Sequence, residues 1–211
     1  MYETVSREMM DFVQRSPSCF HAVSELAKML EQAGFIALQE SDAWKLQPGK
    51  GYYVTRNGSA VMAFRMPPEK PTGFMIAAAH SDAPTMKLKD IAELSDQNYV
   101  RLNVEKYGGA ILEPWMDRPL SVAGRVSVQQ GSRVFTRLVN IDRDLLLIPH
   151  MAIHMNRLMN TCKGTSALAQ LAIHSPYEIG GNQDPLHLLN AMKALYSAEI
   201  LCTQDGEYPV L

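Results

Sequence analysis

Apolar side chains recur every three or four positions at the start of the chain. Val5, Met9, Phe12 and Val13 share one helical face across residues 3–14, and Ser16-Pro17-Ser18 breaks the pattern. A second stripe, Ala22, Leu26, Met29 and Leu30, predicts another helix, with Gly34 placed to close it just past its end. The period then shortens to two. Tyr52–Thr55 and Ala60–Phe64 read as strands around Arg56-Asn57-Gly58, an Asn-Gly hairpin turn. Residues 67–71, PPEKP, read as a linker, and GFMIAAA over 73–79 as a buried strand ending in small residues.

The texture changes near residue 86. KLKDIAEL, YVRLNVEKYGG, LSVAGRVSVQQGSRVFTRLVNI and DLLLIPHMAIH are short segments, many of them β-branched, with hairpin signals at Gly108-Gly109 and Gln130-Gly131. A small all-β module inserted into an α/β protein accounts for this better than two α/β halves. Beyond it, Ser166–Ile173 and Pro185–Ile200 look helical, joined by a loop over 176–183. The expected division is therefore residues 1–88 as a first α/β segment, 89–157 as the β-rich insertion and 158–211 as a helical tail.

Composition narrows the setting. The 211 residues are 46% hydrophobic and 20% charged, enough for a real core. A formal net charge of −2 and no basic run make nucleic acid an unexpected partner. Cys19, Cys162 and Cys202 are too scattered for a disulfide framework or a zinc knuckle. The start of the chain is polar and acidic, unlike a signal peptide, and no stretch suits a membrane span, so the expected compartment is the cytoplasm.

The apolar run 73–79 ends abruptly in His80, Ser81 and Asp82. Strand ends in open α/β sheets are where loops converge on ligands. Neutral imidazole is a zinc ligand whose other nitrogen needs an acceptor, and Asp82 can reach back to supply it while Ser81 tucks away. That reading requires a ring beside a cavity rather than in solvent; an isolated His-x-Asp also occurs in surface loops. Ser81 makes a poor nucleophile, since no elbow glycines flank it. His21 suits a capping role at a helix start. His150 and His154 would share a helix face, but Pro149 and the lack of an intervening Glu argue against a metalloprotease helix. Trp115, Asp117 and Arg118 suggest an ion-paired turn in the β module.

HSDAP, following a small-residue strand and followed by KLK, resembles the first metal-site motif of the M18 zinc aminopeptidases, the aspartyl aminopeptidases. SPSCFHAVSELAKMLEQAGF, WKLQPGKGYYVTRNGSAVMAF, VEKYGGAILEPWMDRPLSVAGRV and LLLIPHMAIHMNR resemble further family segments in family order, covering about residues 10–160. The resemblance implies part of a discontinuous α/β catalytic domain with an inserted β-rich domain, and oligomerisation through that insertion. It implies a two-zinc site in the complete protein and removal of N-terminal residues, often acidic, from peptides. Carried over by position, His80 is a zinc ligand, Asp82 its supporting carboxylate, and His154 the insertion-domain histidine linked to zinc or substrate.

A two-zinc site also needs a bridging carboxylate, one further carboxylate per ion, a general-base Glu and a last His. The family draws these from later segments, including a Glu-Glu pair that this sequence lacks. After Asn160 the sequence departs from the family pattern, so the chain reads as an incomplete member. Two expectations follow. Either aminopeptidase activity belongs to the complete polypeptide, or this chain is an inactive fragment that serves as a folding or assembly module. A two-zinc exopeptidase of another family is a weaker third choice.

Overall fold

The structure is a computed structural model that describes residues 2–95, 100–150, 152–154, 157, 173–174 and 199–200. They fall in two compact units, Met1–Ala83 and Pro84–Leu211.

In the first unit, helix α1 (Tyr2–Arg15) follows the predicted stripe but buries no residue, and Val5, Met9 and Val13 stay mostly exposed. Its last turn is tied to helix α2 (Cys19–Gln32) by Arg15 Nε to Glu25 Oε2 at 2.9 Å. Lys28 adds a 2.6 Å contact to the same carboxylate, and Lys28 first, then Arg15, holds the Glu25 carboxyl below its ordinary range. Ser18 caps α2, accepting from the His21 backbone N–H and meeting the His21 ring nitrogen Nδ1 at 2.8 Å. The structural reading of His21 is thus met, and partial burial lowers the pKa of its ring. Gly34 turns the chain out of α2 at φ 80° as its position predicts.

Strand β1 (Ile36–Leu38), which the periodicity did not announce, runs parallel to β2 (Gly51–Arg56). Strand β2 is antiparallel to β3 (Ala60–Arg65) through a turn with Asn57 and Gly58 both at positive φ. Residues 51–54 are buried without interruption because β2 lies in the centre of the sheet and is covered on both sides. Tyr53 reaches α2 and donates to Glu31 at 2.6 Å. Tyr52 stacks on its cross-strand partner Phe64, and Phe64 stacks on Trp44.

The expected buried strand over 73–79 is not formed. That run carries no regular secondary structure, and Phe74, Met75 and Ile76 are 90%, 103% and 86% exposed. A strand needs a neighbour to satisfy its backbone and cover its side chains, and no described residue supplies one.

The second unit is strand-rich, as its texture predicts. Strand β4 (Thr85–Ser95) pairs antiparallel with β5 (Val100–Tyr107), with an irregularity between Leu88 and Glu93. A 3-10 turn, η1 (Glu113–Trp115), precedes the long hairpin of β6 (Ala123–Gln130) and β7 (Arg133–Asn140), which turns at Gly131 as expected. Gly108-Gly109, by contrast, leads from β5 toward η1 and closes no hairpin. Leu102, Val104, Met116, Leu145, Leu146 and Ile148 form the core. Of the predicted tail helices, only the ends are described. There β8 (Ile173–His174) pairs with β5 and β9 (Glu199–Ile200) with β6, so Ile173, Glu199 and Ile200 are strand where helix was expected; the remainder of both segments lies outside the described residues. No described helix is long and apolar enough to cross a membrane.

Candidate metal-site segment

His80 and Asp82 meet as the spacing predicts: His80 Nδ1 lies 2.9 Å from Asp82 Oδ1. Ser81, between them, turns the other way and donates to the Ser59 carbonyl at 2.9 Å, fastening the segment to the β2–β3 turn. Its hydroxyl is therefore occupied in holding the chain, consistent with its rejection as a nucleophile. The carboxylate engages one ring nitrogen and leaves Nε2 for another partner, the arrangement a metal-ligating imidazole requires. The surroundings do not match the expectation. The His80 side chain is 92% exposed, so it lines no cavity among the described residues. The ring follows the apolar run before it into solvent.

In the second unit, His154 is exposed in a turn. It does not share a helix with His150, because 149–154 forms no helix among its described residues. His150 is instead held by Asp117. Its backbone N–H donates to Asp117 Oδ1 at 2.9 Å and its ring Nδ1 lies 2.5 Å from Oδ2. Glu113 Oε1 stands 3.7 Å from His150 Nε2. The His150 backbone N–H, and then its ring, holds the Asp117 carboxyl below the usual carboxylate range. The clamp continues through Asp117 N–H to the Ile148 carbonyl at 2.9 Å and through reciprocal Leu120–Leu146 backbone bonds. The turn is held by hydrogen bonds rather than by the expected ion pair within Trp115, Asp117 and Arg118: Asp117 engages His150, and Arg118 donates to the Pro114 carbonyl. Sequence reading missed this pairing because 33 positions separate its members.

These residues do not make a zinc site by themselves. Among the described residues no three His, Cys, Asp or Glu side chains are disposed to hold a metal ion. His80, supported by Asp82, offers one ligand where zinc asks for at least three from protein.

Comparison with known proteins supplies the family. The family model "Aminopeptidase I zinc metalloprotease (M18)" matches residues 12–167. A probable M18 family aminopeptidase 2 of Clostridium novyi (strain NT) is 45% identical over 160 residues, which are 74% of this chain and 37% of that protein. Among solved structures, the cryo-EM structure of the Ape4 and Nbr1 complex superposes with TM-score 0.74 at 38% identity, covering 86% of this chain and 36% of that one. The Saccharomyces cerevisiae mApe1 dodecamer gives TM-score 0.74 at 27% identity, over 94% of this chain and 45% of that one. The chain thus spans less than half the length of the relatives it matches. The fold is α/β, and the family match covers both the His80–Asp82 pair and the turn at His154: this chain belongs to the M18 family, the aminopeptidase I zinc metalloproteases.

Proposed function

We propose that this chain carries the first metal-site motif of a zinc aminopeptidase that removes N-terminal residues, acidic by preference, from peptides in the cytoplasm. The supporting observation is the His80–Asp82 pair, already oriented at 2.9 Å within a matched stretch that reaches from residue 12 to 167. In this reading His80, exposed to solvent in this structure, serves as a ligand only where further polypeptide encloses it, Asp82 fixes its tautomer, and His154 is the β module's contribution to zinc or substrate. Activity belongs to a polypeptide in which the remaining ligands are present, two zinc ions completing the site. Association of copies through the β-rich module accompanies it, a reading supported by the dodecameric relative.

The test is hydrolysis of an N-terminal Asp or Glu from a peptide by a protein in which this chain is fused to the remainder of the Clostridium relative. His80→Ala is expected to abolish chelator-sensitive turnover. Asp82→Asn is expected to lower it about 10- to 100-fold, the usual effect of removing a carboxylate behind a metal-bound histidine. Unchanged turnover in His80→Ala refutes the assignment.

A second reading has its own observation, the lack of any three-residue metal cluster among the described residues. Alone, the chain is then an inactive assembly module. Zinc titration by calorimetry tests it: the module reading expects no tight binding to the 211-residue chain, and stoichiometric tight binding refutes that reading, while the fused protein's loss of turnover in His80→Ala bears on the first.

A further inference from the structure

We infer that Asp117 is a positioning residue: by clamping His150 it sets the place from which His154, further along the same segment, meets zinc or substrate. The inference rests on the aminopeptidase reading for what His154 does, and on the second unit's own geometry for how His154 is held.

Residues 146–150 lie against 117–120 through a short series of bonds. Leu120 and Leu146 exchange backbone bonds, the Asp117 N–H donates to the Ile148 carbonyl at 2.9 Å, and the His150 N–H donates to Asp117 Oδ1 at 2.9 Å. Ile148 is fully buried in the core, so one end of this series is fixed. The other end is Asp117 itself. Its second oxygen meets the His150 ring at Nδ1, and Glu113 stands beyond the ring, 3.7 Å from Nε2. Between 150 and 154 no described residue belongs to a helix or strand, so no backbone ladder takes over the guidance of the chain. The place of His154 is then inherited from the clamp. Four residues reach at most about 14 Å when extended, so a released His150 frees His154 over far more than the roughly 1 Å misplacement that can cost about a hundredfold in rate.

Asp117 accepts a backbone cost in this role. Its φ of 53° lies in the left-handed region, and in that turn both carboxylate oxygens face one residue. A link serving packing alone needs neither the unfavourable backbone nor the second oxygen, because the Leu120–Leu146 bonds and buried Ile148 already join the two stretches.

The fused protein reports on rate and the 211-residue chain on motion. Asp117→Gly suits a positive φ and removes both acceptors. It is expected to lower kcat/KM about 10- to 100-fold. When His154 is already alanine the further loss should stay below about twofold, because both changes act through one group. Asp117→Asn, which still accepts from the His150 N–H, is expected to restore most of what Asp117→Gly loses. His150→Ala removes only the ring contact and should give a smaller loss, again absent beside His154→Ala; it carries the test if Asp117→Gly does not fold. In the 211-residue chain, nitrogen-15 relaxation is expected to give order parameters of about 0.85 at 152–154, falling below about 0.6 in Asp117→Gly with the β6–β7 ribbon unchanged. Equal losses with and without His154, or full turnover in His154→Ala, overturn the inference while loss of turnover in His80→Ala keeps the aminopeptidase reading. Order parameters at 152–154 that are low in the wild-type chain, or indifferent to Asp117→Gly, overturn it too. Loosening of 152–154 in a chain whose fused form has no chelator-sensitive turnover removes the aminopeptidase reading and leaves the clamp on His154 standing.

Discussion

Asp117 holds φ at 53°, a region that costs most side chains energy, and is kept there by accepting from His150 through both carboxylate oxygens. Asn tolerates the same backbone, so Asp117→Asn removes the charge while leaving the turn possible. Because the folded pKa of Asp117 is depressed, its carboxylate contributes stability that is full above the unfolded value of about 3.9. That contribution is lost as pH falls through the lower folded value. Urea unfolding should therefore show Asp117→Asn modestly less stable than wild type at pH 7, with the gap closing below about pH 4. A gap independent of pH would mean the carboxylate's charge contributes nothing. At this scale the sequence was uneven. His80 and Asp82, two apart, could be read as a pair; Asp117 and His150 could not, because only the folded core around Ile148 brings them together.

Elements with a strong local signal formed where the pattern placed them. Both N-terminal helices, the Asn57-Gly58 hairpin and the β6–β7 ribbon combine periodicity with a cap or turn residue. Strand β1 escaped notice because three residues carry no period, and its parallel pairing depends on β2. Gly108-Gly109 carried hairpin chemistry without the following strand to use it. The join between α2 and the sheet makes a measurable demand. A β-carbon at Gly51 would lie 2.8 Å from the Phe35 ring, over which Arg65 is stacked at 5.3 Å from the ring centre. Gly51→Ala should cost about 1–3 kcal/mol in chemical denaturation, the range for overpacking. A neutral result would mean that Phe35 yields freely.

For the whole molecule, residue order suffices to name the family and to separate an α/β beginning from a β-rich continuation. It does not say whether an apolar run finds a place inside. Residues 71–80 are exposed and outside regular structure, which makes the peptide bond after Phe74 an earlier chymotrypsin cut than those after Trp44 or Phe64. Mass spectrometry of a brief digest should find peptides ending at Phe74 before peptides ending at Trp44 or Phe64, which stack on each other. Early loss of the Trp44 or Phe64 bonds instead would contradict the exposure described here. The sequence by itself determined the two N-terminal helices, the hairpins at Asn57-Gly58 and Gln130-Gly131, the His80–Asp82 pairing and the family motifs, because each depends on residues close along the chain. Tertiary structure alone decided that Asp117 holds His150, that β2 is covered on both faces, and that the run before His80 lies in solvent. Burial depends on which surfaces fold up against a segment, and for 73–79 the described part of this chain supplies none.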